Sequence, residues 1–304
     1  MRVCSLLPGA TEIAFALGLG DDVVGVSHEC DYPPEARHKP VVVRSSIGAD
    51  RMTSLEIEAW VNERVRSRKG LYVIDEARLR EAAPDVILTQ GLCDVCAIDY
   101  DDVVRAARAL PRNPQIVSLA PHCLSDILAD VTRVGVATER HDHADKLTRD
   151  LERRVSAVRE RTALSSSRPR VACIEWLEPI YAAGHWMPEL VDLAGGHDGL
   201  GQTGAPSAKI AWQKILDFAP ELIVLMPCGF DLQRTLREAP ALAKLDGWRS
   251  LPAVESGRVY AVNGSAFFSR PGPRLVDGLE ILAALIHPEI FAIRTCFETV
   301  QRIT

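Results

Sequence analysis

Between Pro121 and Pro169 the chain carries no proline. This interval constrains the fold more than any other feature, because its apolar residues fall at helical spacing. A first helix is predicted over about 124–137, ending near "VATERHD". A second is predicted from Asp142, read as its N-cap, with Leu147, Leu151, Val155 and Val158 along one face. About 22 residues at 1.5 Å each make a rod of about 33 Å. "SSSRP" (165–169) closes it. A helix of this length is a stiff connector, not a flexible tether.

Both flanks of the rod repeat one pattern. Short Val-, Ile- and Leu-rich runs at 2–7, 22–27, 85–90 and 115–120 read as buried strands, with helix-spaced segments at 10–18, 54–67 and 99–110 between them. The pattern restarts with strands at 170–176, 222–227 and 258–263 and helices at 185–196, 211–220 and 274–286. Such alternation predicts an α/β fold of two Rossmann-like lobes with parallel sheets, bridged by one long α-helix, with a ligand cleft between the lobes. The expected division is 1–140, a linking helix at 141–165, and 166–304. The halves also echo each other: "AAPDVILTQGLC" (82–93) and "FAPELIVLMPC" (218–228) share Ala-Pro-acid, an apolar run and a loop reaching a cysteine.

The balance of charges, a net of -6 without long single-sign runs, gives no reason to expect nucleic acid or an anionic membrane as partner. The start "MRVCSLLPGATEIAF" has no signal-peptide pattern, and no run approaches the length of a membrane span. The expectation as written is therefore a cytoplasmic protein without membrane insertion, whose 8 cysteines are mostly reduced thiols. A misassigned start or a removed leader would instead place it in the periplasm or outside the cell.

Ligands of parallel sheets bind beyond the carboxyl ends of the strands. The segments that follow the predicted strands therefore supply the candidate site. In the first half these are Pro8, Thr11 and Glu12, then His28 and Tyr32, then Gln90, and lastly His122. In the second half they are Glu175 and Trp176, His185 and Trp186, Phe230, and then Phe267, Phe268 and Arg270. So many aromatic side chains in loops predict a broad apolar wall for a large planar ligand, although each one alone is more readily explained as core. His28, His122 and His185 are candidates to ligate a metal centre within that ligand.

Cys30, Cys93, Cys96 and Cys228 also fall at these loop positions, whereas Cys4 and Cys173 sit inside strands and read as small core hydrophobes. "CDVC" has ligand spacing for a directly bound ion such as zinc or iron, but no second compact ligand pair accompanies it. A redox role is opposed by Asp94, Asp99, Asp101 and Asp102, whose charge disfavours a thiolate. Lining of the cleft floor is the leading reading of this motif. No nucleophile elbow, P-loop, His-Glu-x-x-His helix or dinucleotide fingerprint is present, and no catalytic residue is assigned. An enzyme on this scaffold would have to use Glu175, His185 or a cleft thiol.

"SLLPGATEIAFALGLGDDVVGVSHECDYP" (5–33) resembles the start of ABC-type cobalamin and iron(III)-siderophore substrate-binding proteins. "AAPDVILTQ", "IAWQKILDFAPELIVL", "GRVYAV" and "RPGPRLVDGLEILA" are similar to later segments of the same family, in the same order. The resemblance spans nearly the whole chain. It implies a two-lobed periplasmic-binding-protein fold, a cobalamin-like or other metal chelate as ligand, no catalysis, and an ABC permease as partner if the protein is exported. The "SHEC" and "CDVC" thiols depart from the family pattern, and "EWLEPIYAAGHWMPEL" (175–190) looks more like an intracellular-type branch.

Overall fold

A computed structural model describes residues 1–67, 69–91, 98–292 and 299–303. The N-terminal lobe contains strands β1 (Val3–Ser5), β2 (Val23–Ser27), β3 (Val41–Ser45), β4 (Tyr72–Ile74), β5 (Val86–Gln90) and β6 (Gln115–Leu119). Its helices are α1 (Pro8–Ala16), α2 (Ser54–Arg66), α3 (Glu76–Ala82), α4 (Tyr100–Arg108) and α5 (Leu124–Ala137). The helix α6 (His141–Thr162) follows. The C-terminal lobe contains β7 (Val171–Leu177), β8 (Ile180–Ala182), β9 (Ala208–Lys209), β10 (Leu222–Leu225), β11 (Val259–Val262) and β12 (Val300–Ile303). Its helices are α7 (Met187–Leu193), α8 (Trp212–Phe218), α9 (Leu232–Glu238), α10 (Pro252–Glu255), α11 (Gly264–Phe267) and α12 (Leu275–Ile286).

Each lobe is built on a six-stranded sheet, in the order β4-β3-β2-β1-β5-β6 and β12-β11-β10-β7-β8-β9. The central strands are parallel, with Val3 opposite Val23 and Val86, and Leu222 opposite Val171. The expectation of parallel sheets is corrected at the edges. β4 pairs antiparallel with β3, β12 with β11, and β7, β8 and β9 form an antiparallel meander. Leu177 lies opposite Ile180, so β7 turns straight back into β8, and the helix expected from His185 follows a returning strand. Both sheets are covered on two faces, by one pair of apolar clusters in each lobe.

The echo between the halves has a physical form. Helices α3 and α8 both end in an alanine with left-handed backbone, Ala83 at φ 39° and Ala219 at φ 47°. A proline and an acid follow, and then a central strand. Arg2 donates its Nε to Ala82 O at 2.8 Å and its backbone N–H to the Asp85 carboxylate at 2.8 Å. Arg170 donates its Nε to Ala219 O at 2.9 Å and its backbone N–H to the Glu221 carboxylate at 3.1 Å. One arginine thus tethers the start of β1 or β7 to the helix end before the neighbouring strand, in both lobes.

α6 has 22 residues, about 33 Å of helix. Its cap is Arg140, and Asp142 stands in the first turn, where a carboxylate favours the helix dipole. Ala144 and Leu147 pack into the N-terminal core, whereas Val155 and Val158 pack into the C-terminal core. Because one helix is keyed into two cores, it cannot swing against either lobe without losing buried apolar area. Among the described residues no helix is long and apolar enough to cross a membrane.

Candidate functional site in the interlobe cleft

The loops at the carboxyl ends of the central strands of the two sheets face each other, and three sets of contacts join them. The first is ionic. Pro8 starts α1 directly after β1, and Gly9 lies so close to Pro271 that a Cβ on it would stand 2.5 Å from Pro271 O. This close approach brings Glu12 of α1 against Arg270 and Arg274. Arg274 donates to Glu12 at 2.5 and 3.1 Å, and Arg270 Nη1 lies 3.6 Å from the same carboxylate. Arg270 also pairs with Asp31 and donates to Glu29 O at 3.2 Å and Ser265 Oγ at 3.0 Å. The Arg274 guanidinium lies over the Tyr32 ring at 3.9 Å and nearer the edge of contact with Phe267 at 5.6 Å. Burial pushes the Glu12 carboxyl above its ordinary range, against the pull of Arg274. The segments "PGATE" and "RPGPR", far apart in sequence, therefore form one interlobe unit.

The second contact is a strap. Between β3 and β4 the chain leaves the N-terminal sheet, and α2 starts on a capping box in which Thr53 and Glu56 satisfy each other's backbone N–H groups. Only Ser54 of α2 is buried, and no α2 side chain joins the apolar cores. Arg64 near its end donates to Gly70 O of its own lobe, but the partners of its first turns belong to the other lobe. Arg234, half-buried and paired with Glu238 at 2.7 Å, donates to Ala49 O at 3.2 Å and to Met52 O. Ser54 N–H donates to Glu238 at 2.9 Å, Trp176 Nε1 donates to Ser54 O at 3.3 Å, and Tyr181 donates to Glu58 at 2.9 Å. A carboxylate at the first turn of α2 is favoured by the helix dipole.

The third contact joins the loop after β6 and the start of α5 to the loop after β8 and α7. Leu124 N–H donates to Glu189 at 2.8 Å, and the His122 and His185 rings stand with centroids 6.2 Å apart.

The sequence-derived candidates divide into those that line this boundary and those that lie within the lobes. Tyr32 and His28 are exposed in the loops after β2, and Gln90 is buried at the end of β5. Trp176 packs on Phe230 with centroids 5.2 Å apart, and Arg234 covers Phe230 at 4.5 Å. Glu175 is half-buried and accepts from Ser207 Oγ at 2.6 Å. Trp186 and Phe268 are placed inside the C-terminal core, where Trp186 Nε1 donates to Phe268 O at 2.9 Å. Thr11 is fully buried, its hydroxyl 2.8 Å from Ser5 Oγ, 3.1 Å from Leu7 O and 3.0 Å from Cys30 Sγ. Burial pushes the Cys30 thiol up to about 12, so it is a protonated core group at neutral pH. Cys228 is half-buried after β10. Among the described residues no three His, Cys, Asp or Glu side chains gather as a metal site. Cys93 and Cys96 lie outside the described residues.

Sequence reasoning missed Arg274, Arg234 and the strap. A cavity of about 550 Å³ lined by Pro169, Glu221, Arg258 and Glu289 opens at the other end of the C-terminal sheet. It lies beside the first residues of β7, β10 and β11 and is remote from the strand-end loops.

Residues 3–266 match the periplasmic binding protein family. A substrate-binding lipoprotein of an ABC transporter from Bacillus subtilis is 24% identical over 295 residues, covering 95% of this chain and 81% of its own. A vitamin B12-binding protein from Vibrio cholerae is 26% identical over 292 residues, covering 92% of this chain and 86% of its own. The crystal structure of a periplasmic heme-binding protein from Pseudomonas aeruginosa superposes with a TM-score of 0.75 at 16% identity, over 100% of this chain and 98% of its own. The cytoplasmic expectation has no counterpart in these names, one being that of a lipoprotein and one that of a periplasmic protein.

Proposed function

The chain belongs to the periplasmic binding protein family, and we propose that it holds a metal chelate of the corrinoid kind between its lobes without transforming it. In this reading 1–140 and 166–304 are the two gripping lobes, 141–165 is the connector, and an ABC permease receives the ligand on the outer side of the membrane. The observation that carries the reading is the meeting of strand-end loops from two sheets, with Trp176, Phe230, Phe267 and Tyr32 among them. Flat apolar faces suit a macrocycle, and Gln90 and Glu175 are polar groups suited to its amide side chains. The rod-like α6 keeps lobe movement small, so the strap and the loops make most of the adjustment on binding. A directly bound ion on Cys30 and Cys228 has no support among the described residues.

The test is an absorbance titration of the purified protein with aquacobalamin, with hemin and a ferric hydroxamate as comparators. Saturable binding of aquacobalamin, weakened at least about tenfold by Trp176→Ala, is the expected result. Preferred binding of hemin would move the ligand to another tetrapyrrole, and preference for the hydroxamate would overturn the planar-macrocycle reading.

A further inference from the structure

His122 and His185 meet across the lobe boundary, and the ionic and strap contacts use neither ring. His122 follows β6 and is exposed, whereas His185 follows β8 and is half-buried. The ring planes are inclined by 44° at a centroid distance of 6.2 Å.

His185 is held at a cost. Its φ of 50° lies in the left-handed region that side-chain-bearing residues avoid. Two backbone hydrogen bonds keep it there, from His185 N–H to Ala205 O at 2.6 Å and from Gly204 N–H to His185 O at 2.9 Å. Its ring stacks on Trp186 at 5.6 Å. Among the described residues its Nδ1 is shut from solvent and has no hydrogen-bond partner. An unpaired buried ring nitrogen is costly, and strained backbone of this kind concentrates at functional positions. Burial, and secondarily the neighbouring His122, hold the His185 imidazole below its ordinary range.

We propose that His122 and His185 form a site for a first-row divalent transition-metal ion, one imidazole coming from each lobe and the remaining positions going to water or to donors of a small ligand. Imidazole suits zinc, copper, nickel and cobalt, whereas calcium and magnesium call for oxygen donors. Imidazole nitrogens bind such ions at about 2.0–2.1 Å, so two on one ion stand no more than about 4 Å apart. Rings with centroids 6.2 Å apart come to about that separation when one nitrogen of each ring is turned toward the other. With two protein ligands the site is open, and an ion in it ties the lobes together on the β6 side of the cleft. The proposal does not depend on the chelate reading, because it concerns the free ion.

The experiment titrates protein stripped with EDTA against cobalt(II) chloride, followed by visible absorption and calorimetry. The expected result is one equivalent bound, with d–d bands and without sulfur-to-metal charge transfer in the near ultraviolet. His122→Ala and His185→Asn should each weaken uptake at least about tenfold. Asparagine tolerates the left-handed backbone of His185, and His122 is exposed, so both variants should fold, as circular dichroism would verify. The exposed pair at the start of α6, changed as His141→Ala with His143→Ala, should leave uptake unaltered. No saturable uptake by the unsubstituted protein would overturn the proposal. So would uptake that survives both histidine changes, or uptake with charge-transfer bands that disappears with Cys93→Ser and Cys96→Ser.

Discussion

Glu12 accepts two hydrogen bonds from the guanidinium of Arg274, a residue of the other lobe. Glu12 is almost wholly buried, and Arg270 is its second cationic neighbour at 3.6 Å. Removing one partner of a buried pair leaves the other charged and poorly solvated, so Arg274→Ala should cost about 3 kcal/mol in urea unfolding. Arg154, which pairs with Asp277 and Glu280 at a more exposed position, gives the comparison, and Arg154→Ala should cost about 1 kcal/mol or less. Equal costs for the two variants would mean that the interlobe bridge contributes no special stability.

The strap is tested through its clasp. Arg234→Ala removes the donor to Ala49 O and Met52 O and the cation over Phe230. Amide hydrogen exchange over 49–58 should quicken by about tenfold, the equivalent of about 1.4 kcal/mol of local opening. Exchange in β1 and β7 should stay as it was. If the strap exchanges no faster while the strands do, Arg234 supports the C-terminal lobe and does not hold the strap.

The thiols should sort by burial. Cys4, Cys30 and Cys173 are buried, and burial raises all three thiols, that of Cys30 to about 12. Cys123 and Cys228 are half-buried. Brief treatment of the native protein with iodoacetamide at pH 8, followed by peptide mass mapping, should label Cys123 and Cys228 and spare the other three. Early labelling of Cys30 would return it to the cleft as a reactive group.

Helical and strand periodicity made the scaffold legible. The predicted 124–137 coincides with α5, and the connector matches α6 to within a few residues at each end, because apolar residues at i, i+3, i+4 and i+7 report a buried stripe directly. β4 and β9 left no such mark: β4 has only 3 residues, with Tyr72 and Ile74 half-buried on the core side of an exposed Val73, and both residues of β9 are exposed, so neither strand is long enough to write a pattern. The site was legible as loop positions but not as directions. Trp186 and Phe268 follow strands as expected, yet their side chains turn into the core. Trp186→Ala should therefore cost about 3 kcal/mol or more through lost packing, and a ligand-affinity loss in that variant would report on folding first. The partners of Glu12 and of the strap are set by tertiary pairing over most of the chain, for which local spacing carries no signal.

The clearest pH effect should come from Asp130 of α5, which is buried beside its partner Arg133. Burial outweighs that partner and lifts the carboxyl to about 6 from its unfolded value of 3.8. A raised acid holds its proton more firmly in the folded state, so its contribution is most favourable below the unfolded value. That contribution is lost as pH rises through the interval from about 4 to about 6. Allowing for solvent near the half-exposed Arg133, the loss should be roughly 2 kcal/mol. Asp130→Asn carries no such titration. The difference in unfolding free energy, variant minus unsubstituted protein, should therefore grow by roughly 2 kcal/mol between pH 4 and pH 7.5. Urea unfolding at those two pH values measures it. A difference independent of pH would show that Asp130 is ionised at an ordinary value and that Arg133 fully offsets its burial.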